Sequence, residues 1–314
     1  MPRFITLLLV LFALMALFAI DPIDTTQSQT GRQIPRATNV SNRAVNNPYN
    51  GMDICVGKTM EDWDRSVQLN PNNSTSYTNR AWCRSSILGN TSMDDYLRLL
   101  PTVKAGIKAD LDRALSIDPE NAQAYLVRAQ KALMWSGYGV SRDEIEQVSR
   151  DLNKAAVLQS DNPHVYFHRA RLKFELLKDN AGAIADLDQA IRMRPDEVFF
   201  LTERANILMK TGDPAGAARD LTAILRKDPD PYTRLQRAEA YRLSGQNAKA
   251  LADLNLVLRQ ERNLEEAVLG ERVKVFRALG NNRAAADDER RLKQLERNRW
   301  RFPEDLPPVN RSKP

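Results

Sequence analysis

The string ADLDQAIRMRP (Ala185–Pro195) echoes, in the same frame, the string ADLDRALSIDP that lies 76 residues earlier (Ala109–Pro119). Variants recur as RDLNKAAVLQ from Arg150, RDLTAILRKDP from Arg219, ADLNLVLRQ from Ala252 and a weaker ADDERRLKQ from Ala286. Anchored on the Asp, the copies stand at Asp110, Asp151, Asp186, Asp220, Asp253 and Asp287, with spacings of 41, 35, 34, 33 and 34. A second dipeptide, Arg-Ala, keeps pace with them at Arg80, Arg128, Arg169, Arg204 and Arg237, and Arg272-Val273 closes the series. A period near 34 held over five or more copies dictates a stack of like units. One such unit cannot bury its own apolar face, so its neighbours must cover it.

Each copy reads as two helices, the first carrying Arg-Ala and the second Asp-Leu. In ADLDQAI and the residues before it, Ala183, Leu187, Ala190 and Ile191 fall at i, i+4, i+7 and i+8, which is one helical face. Gly89, Gly137, Gly212, Gly245 and Gly280 follow the repeat Arg by eight or nine residues, where a helix must end and a left-handed cap is expected. The copy at Arg169 has no such Gly, and Asn180 is expected to take its place. Pro71, Pro119, Pro163, Pro195 and Pro229 separate the copies, because Pro cannot continue a helix.

These residues resemble the tetratricopeptide repeat (TPR) family. Tyr166, Ala170, Ala183, Leu187, Ala190 and Pro195 sit at its signature positions, and Leu201, Ala205, Leu208, Gly212, Ala217, Leu221 and Pro229 do so in the next copy. The resemblance covers about residues 73–297. It implies an all-α, right-handed α-solenoid of about five to six stacked antiparallel helix pairs. Two copies depart from the pattern, with about fourteen extra residues around TSMDDYLRLLPT and about seven around YGVSRDEI. These are read as loop insertions or longer second helices.

The expected organisation is a hydrophobic segment (1–20), a linker (21–51), an N-terminal capping segment (52–72), the solenoid (73–299) and a Pro-rich tail (300–314). Phe4–Ile20 is apolar except for Thr6, with Arg3 before it and Asp21 and Asp24 after it. Its seventeen residues read either as a signal-peptide core or as a short membrane anchor. The flanking charges place the rest of the chain on the extracytoplasmic side. In that compartment a Cys55–Cys83 disulfide is open to the two cysteines; two free thiols are the alternative.

The charge pattern suggests a ladder. The intervals Asp62–Arg80, Asp110–Arg128, Asp151–Arg169 and Asp186–Arg204 are all 18 residues, with 17 for Asp220–Arg237 and 19 for Asp253–Arg272. Ion pairs between neighbouring helices are expected, each Arg taking either the preceding or the same-copy Asp. A partly buried bidentate pair fixes register more surely than it adds stability.

No catalytic constellation emerges. VGKT at Val56–Thr59 follows the wrong glycine spacing for a phosphate loop, and no apolar strand precedes it. His164 and His168 lie at i, i+4, but no third ligand completes a metal site, so they are read as surface residues. Neither a cofactor nor an enzyme activity is expected.

By the resemblance, the first helices line a concave groove. There the sequence places Trp82, Gln130, Phe167, Arg171, Phe174, Phe199, Asn206, Glu239, Arg242 and Lys274. Aromatic and Arg residues suit protein recognition. The expected partner is a peptide or helix of another protein, with apolar anchors and acidic flanks. The alternative is a nucleic-acid-binding solenoid, prompted by a net charge of +6 and by Arg290, Arg291, Arg297, Arg299 and Arg301. Asp287, Asp288, Glu289 and Glu296 interleave that run and argue against a phosphate track.

Overall fold

The computed structural model describes residues 55, 58–89, 91–135 and 140–299. The hydrophobic run, the linker, Gly137 and the Pro-rich tail lie outside them. Every element among the described residues is helical. A leading helix α1 (Met60–Leu69) is followed by six pairs: α2 (Ser74–Arg84) with α3 (Met93–Ile117), α4 (Ala122–Met134) with α5 (Arg142–Leu158), α6 (Pro163–Leu172) with α7 (Asn180–Met193), α8 (Val198–Thr211) with α9 (Pro214–Lys227), α10 (Pro231–Leu243) with α11 (Asn247–Gln260), and α12 (Glu265–Ala278) with α13 (Asn282–Arg299). Each helix packs on the next, and first helices of successive pairs also touch, as α2 does α4 and α4 does α6. This is an α-solenoid of TPR type.

The repeated dipeptides explain the packing. The residue after each repeat Arg is small and buried (Ala81, Ala129, Ala170, Ala205, Ala238), so the first helix can approach its partner closely. The Leu after each repeat Asp (Leu111, Leu152, Leu187, Leu221, Leu254) fills the space between them. Burying a Leu side chain is worth about 2 kcal/mol, so the period in the sequence is the period of the core.

Connectors are held by short-range bonds. Asn73, Asn121 and Asn162 accept backbone N–H groups at the starts of α2, α4 and α6. Asp179, Asp213 and Asp230 do so for α7, α9 and α10. Each satisfies an orphan donor at a helix start. Tyr77, Tyr125 and Tyr166, three residues before their Arg, stack on the guanidinium with its carbon 5.2–5.7 Å from the ring centroid. Their hydroxyls donate to the carbonyls of Pro71, Pro119 and Ser160. The tyrosine thereby ties a connector to the ladder described below.

Two expected caps are corrected. Gly212 and Gly245 do end helices with positive φ, as does Gly280, but Gly89 has φ −68° and closes a 3-10 turn instead. In the third pair the left-handed residue is Lys178 (φ 58°), not Asn180, which already begins α7. Lys178 ends a π-helical turn, Lys173–Leu177, so the extra residue in that turn moves the cap. The fourteen-residue insertion lengthens a helix: α3 runs for 25 residues through Pro101.

Cys55 and Cys83 are joined by a disulfide across 28 positions, fastening the start of the described chain to α2. A loop of that length implies about 3.5 kcal/mol of stabilisation. Dithiothreitol is therefore expected to lower the denaturation midpoint of the N-terminal repeats. The readout is the fluorescence of Trp63 and Trp82, which are buried and half-buried beside the staple. An unchanged midpoint would show that the staple adds nothing.

Candidate functional site

The charged residues of the repeats form one connected structure. Arg128 donates through Nε and Nη2 to Asp151, both at 2.7 Å. Arg169 grips Asp186 at 2.9 and 2.6 Å, Arg204 grips Asp220 at 2.8 and 2.6 Å, and Arg237 grips Asp253 with both bonds at 2.8 Å. Arg80 and Arg84 share Asp110, and Arg272 lies 3.1 Å from Asp288. The partner is always the Asp of the same copy.

The preceding copy contributes too, through a residue two positions beyond its repeat Asp. Nη1 of Arg80, Arg128, Arg169, Arg204 and Arg237 reaches Asp64, Asp112, Asn153, Asp188 and Thr222 respectively, at 2.6–3.3 Å. Each Arg thus bonds its own second helix and the one before it. Two sequence assignments are corrected. Asp62 is not a rung: its carboxylate accepts from the Thr59 N–H in a capping box, and that bond holds its pKa low. The final rung is Asp288 rather than Asp287. The choice left open for Asp253 falls to Arg237 of its own copy. Hydrogen bonds to the same-copy Asp raise the pKa of Arg128, Arg169, Arg204 and Arg237.

The first-helix residues divide into floor and surface. Phe167 is 1% exposed and belongs to the core with Phe200 and Ile207, so it is not a groove contact. Its ring packs under Phe199, 4.5 Å between centroids, and Phe199 is 42% exposed. Asn206, Glu239 and Lys274 are exposed. Trp82, Gln130, Arg171, Phe174 and Arg242 are half-buried. Arg171 pairs with Glu175 at 3.0 Å, Lys210 lies 5.4 Å from the Phe174 centroid, and Glu271 joins Arg242 to Lys274. Burial raises the Glu203 carboxyl, against the pull of Arg171 and Lys210.

Two further groups in this layer were missed or misread from sequence. His164 is buried and His168 half-buried, correcting their reading as surface residues. Desolvation, helped by Arg194, pushes His164 down to about 4; burial, Arg171 and His164 push His168 down as well. Nε2 of His168 lies 2.6 Å from the Gln130 amide. Lys131 is buried, its ammonium 4.2 Å from the Trp82 centroid and 2.7 Å from Ser85 Oγ, and burial lowers its pKa to about 8.

Among the described residues, no group of three or more His, Cys, Asp and Glu could hold a metal ion, and no helix is long and apolar enough to cross a membrane. Of the basic residues that suggested nucleic acid, Arg290 pairs with Asp287 and Arg291 with Glu265.

No family model matches the chain. Among curated proteins, the mitochondrial import receptor subunit TOM70 of Homo sapiens is 27% identical over 147 residues, which is 46% of this chain and 23% of that protein. The Rattus norvegicus counterpart is 28% identical over the same length. The chain spans about a quarter of the length of these relatives. Similar solved structures include YrrB, described as a TPR protein with an unusual peptide-binding site, at 15% identity, 74% of this chain, 100% of that chain and TM-score 0.47. They also include PilW, described as a type IV pilus biogenesis factor, at 21% identity, 68% and 92% coverage and TM-score 0.48.

Proposed function

We propose that this tetratricopeptide-repeat array is a non-catalytic scaffold that holds a segment of a partner protein on its first-helix face, outside the cytoplasm. The observation that carries this reading is Phe199, a solvent-facing aromatic backed by the buried ring of Phe167. A ring fixed from below offers apolar contact with little ordering entropy left to lose, which is the condition of a binding hot spot. Asn206 lies two helical turns along from Phe199 on α8 and supplies an amide able to bond a peptide backbone.

The charges of this face refine the partner. Arg171, Arg242 and Lys274 already have carboxylates within the fold. An apolar anchor therefore dominates recognition, and acidic flanks add on-rate more than affinity. The Cys55–Cys83 disulfide supports the compartment, since such bonds persist where the surroundings are oxidising.

Site-specific photocrosslinking tests the reading. A crosslinking residue at Asn206 is expected to trap a partner polypeptide, whereas one at Val157, 79% exposed on the second-helix side, is expected to trap none. Phe199→Ala is expected to weaken the interaction by about tenfold or more. Adducts at Val157 alone, or an unchanged yield with Phe199→Ala, would move the binding surface elsewhere.

A further inference from the structure

Between α9 and the turn joining α10 to α11 lies a cleft of about 430 Å³ that the scaffold reading does not use. Ala215, Ala218, Arg219, Thr222 and Arg226 of α9 form one side, and Tyr241, Gln246 and Lys249 form the other. Three of these eight residues are cations and none is a carboxylate. Asp213, whose carboxylate caps the first turn of α9, lies 3.9 Å from Arg219.

The ladder shows why this place is cationic. At the position two beyond the repeat Asp, other copies put Asp64, Asp112 or Asp188 against the next Arg. Here the residue is Thr222, so Arg237 meets a hydroxyl at 3.1 Å where those copies have a carboxylate. Tyr241 is clamped between Arg237 and Lys249, whose charged ends lie 5.5 and 5.4 Å from its ring, and its hydroxyl is 3.4 Å from Thr222 Oγ1. One hydroxyl, that of Tyr241, is thereby held in a cleft flanked by Arg219, Arg226 and Lys249, while the Thr222 hydroxyl donates to the Ala218 carbonyl at 2.7 Å. Gln246 and Lys249 belong to the start of α11, which has no side-chain cap, so the positive end of its dipole adds to the field.

From this we infer that the α9–α11 cleft is an anion-binding site for a phosphomonoester. A doubly charged tetrahedral group can accept from Arg, Lys and the Tyr241 hydroxyl at once, which a singly charged carboxylate does less completely. The cleft is larger than inorganic phosphate needs, so it leaves room for the organic part of the ligand. The site is independent of the first-helix face.

The test is calorimetric titration of the full chain in mild non-ionic detergent at low salt. Glycerol 3-phosphate is the soluble probe. Mixed micelles with phosphatidic acid, compared with phosphatidylcholine, are the lipid probe. Saturable binding of either phosphomonoester is expected, weakened by about tenfold or more in Lys249→Gln and in Thr222→Asp. Thr222→Asp supplies Arg237 with the carboxylate found in other copies, so the variant should remain folded by circular dichroism while losing the ligand. Binding of glycerol 3-phosphate assigns a soluble ligand; binding of phosphatidic acid micelles alone assigns a headgroup. No saturable binding of either, or binding that ignores both substitutions, would overturn the inference.

Discussion

Arg204→Ala is expected to destabilise the array by about 3–5 kcal/mol, the cost of stranding a buried carboxylate. Asp220 is 5% exposed, and both of its oxygens accept from Arg204. The same substitution releases Asp188, which is partly solvated and loses little. Arg204→Lys should recover only part of the loss, since an ammonium cannot make the two-pronged contact. The pair replaced together, Arg204→Met with Asp220→Leu, should return most of the stability, because removing both partners leaves no buried charge behind. Urea denaturation of the three variants checks this. A loss below about 1 kcal/mol for Arg204→Ala would mean that water reaches Asp220 and that the ladder is ornamental.

Acid should unfold this chain by a second route. His164 is 4% exposed and titrates near 4, below the ordinary 6.5, because burial and Arg194 oppose its charge. As pH falls below 6.5 the unfolded chain takes up a proton that the folded imidazole still refuses. The folded state therefore loses stability between pH 6.5 and about 4, and the loss levels off below that. For His164 the full difference is about 3 kcal/mol, and His168, shifted the same way, adds to it. Denaturation midpoints at pH 7 and 4.5 should converge in His164→Gln relative to the unsubstituted chain. Carboxylates also titrate in that window, so the comparison with the variant carries the result. An identical pH dependence in both proteins would show that His164 is hydrated in the fold.

Much of the fold was legible because short helices leave punctuation. Gly212 and Gly245 mark helix ends, and Asp-Leu and Arg-Ala mark the faces that meet. Legibility failed where one local choice had a close competitor. Lys178 is left-handed because a π turn intervenes, and nothing in the composition of KFELLKDN announces that turn. The first-helix face was less legible still. Phe167 and Phe199 both lie at first-helix positions assigned to the groove, yet one is core and the other is surface. Helical period gives the angle of a side chain around its own axis, not the depth at which the neighbouring helix covers it.

The sequence by itself determined the repeating helix pair, its period and its small-residue contacts. Those follow from local conformational preference and from the need of each unit to cover an apolar stripe. Only the tertiary structure decided which Asp each Arg holds. The preceding Asp, 18 residues away, was as good a candidate as the same-copy one, but in the stack the guanidinium fork faces its own second helix. Packing also decided that the residue two beyond the repeat Asp completes the rung, and hence that Thr222 leaves a cationic cleft. Sequence distance orders residues along one chain, whereas charge neutrality is settled among three helices at once.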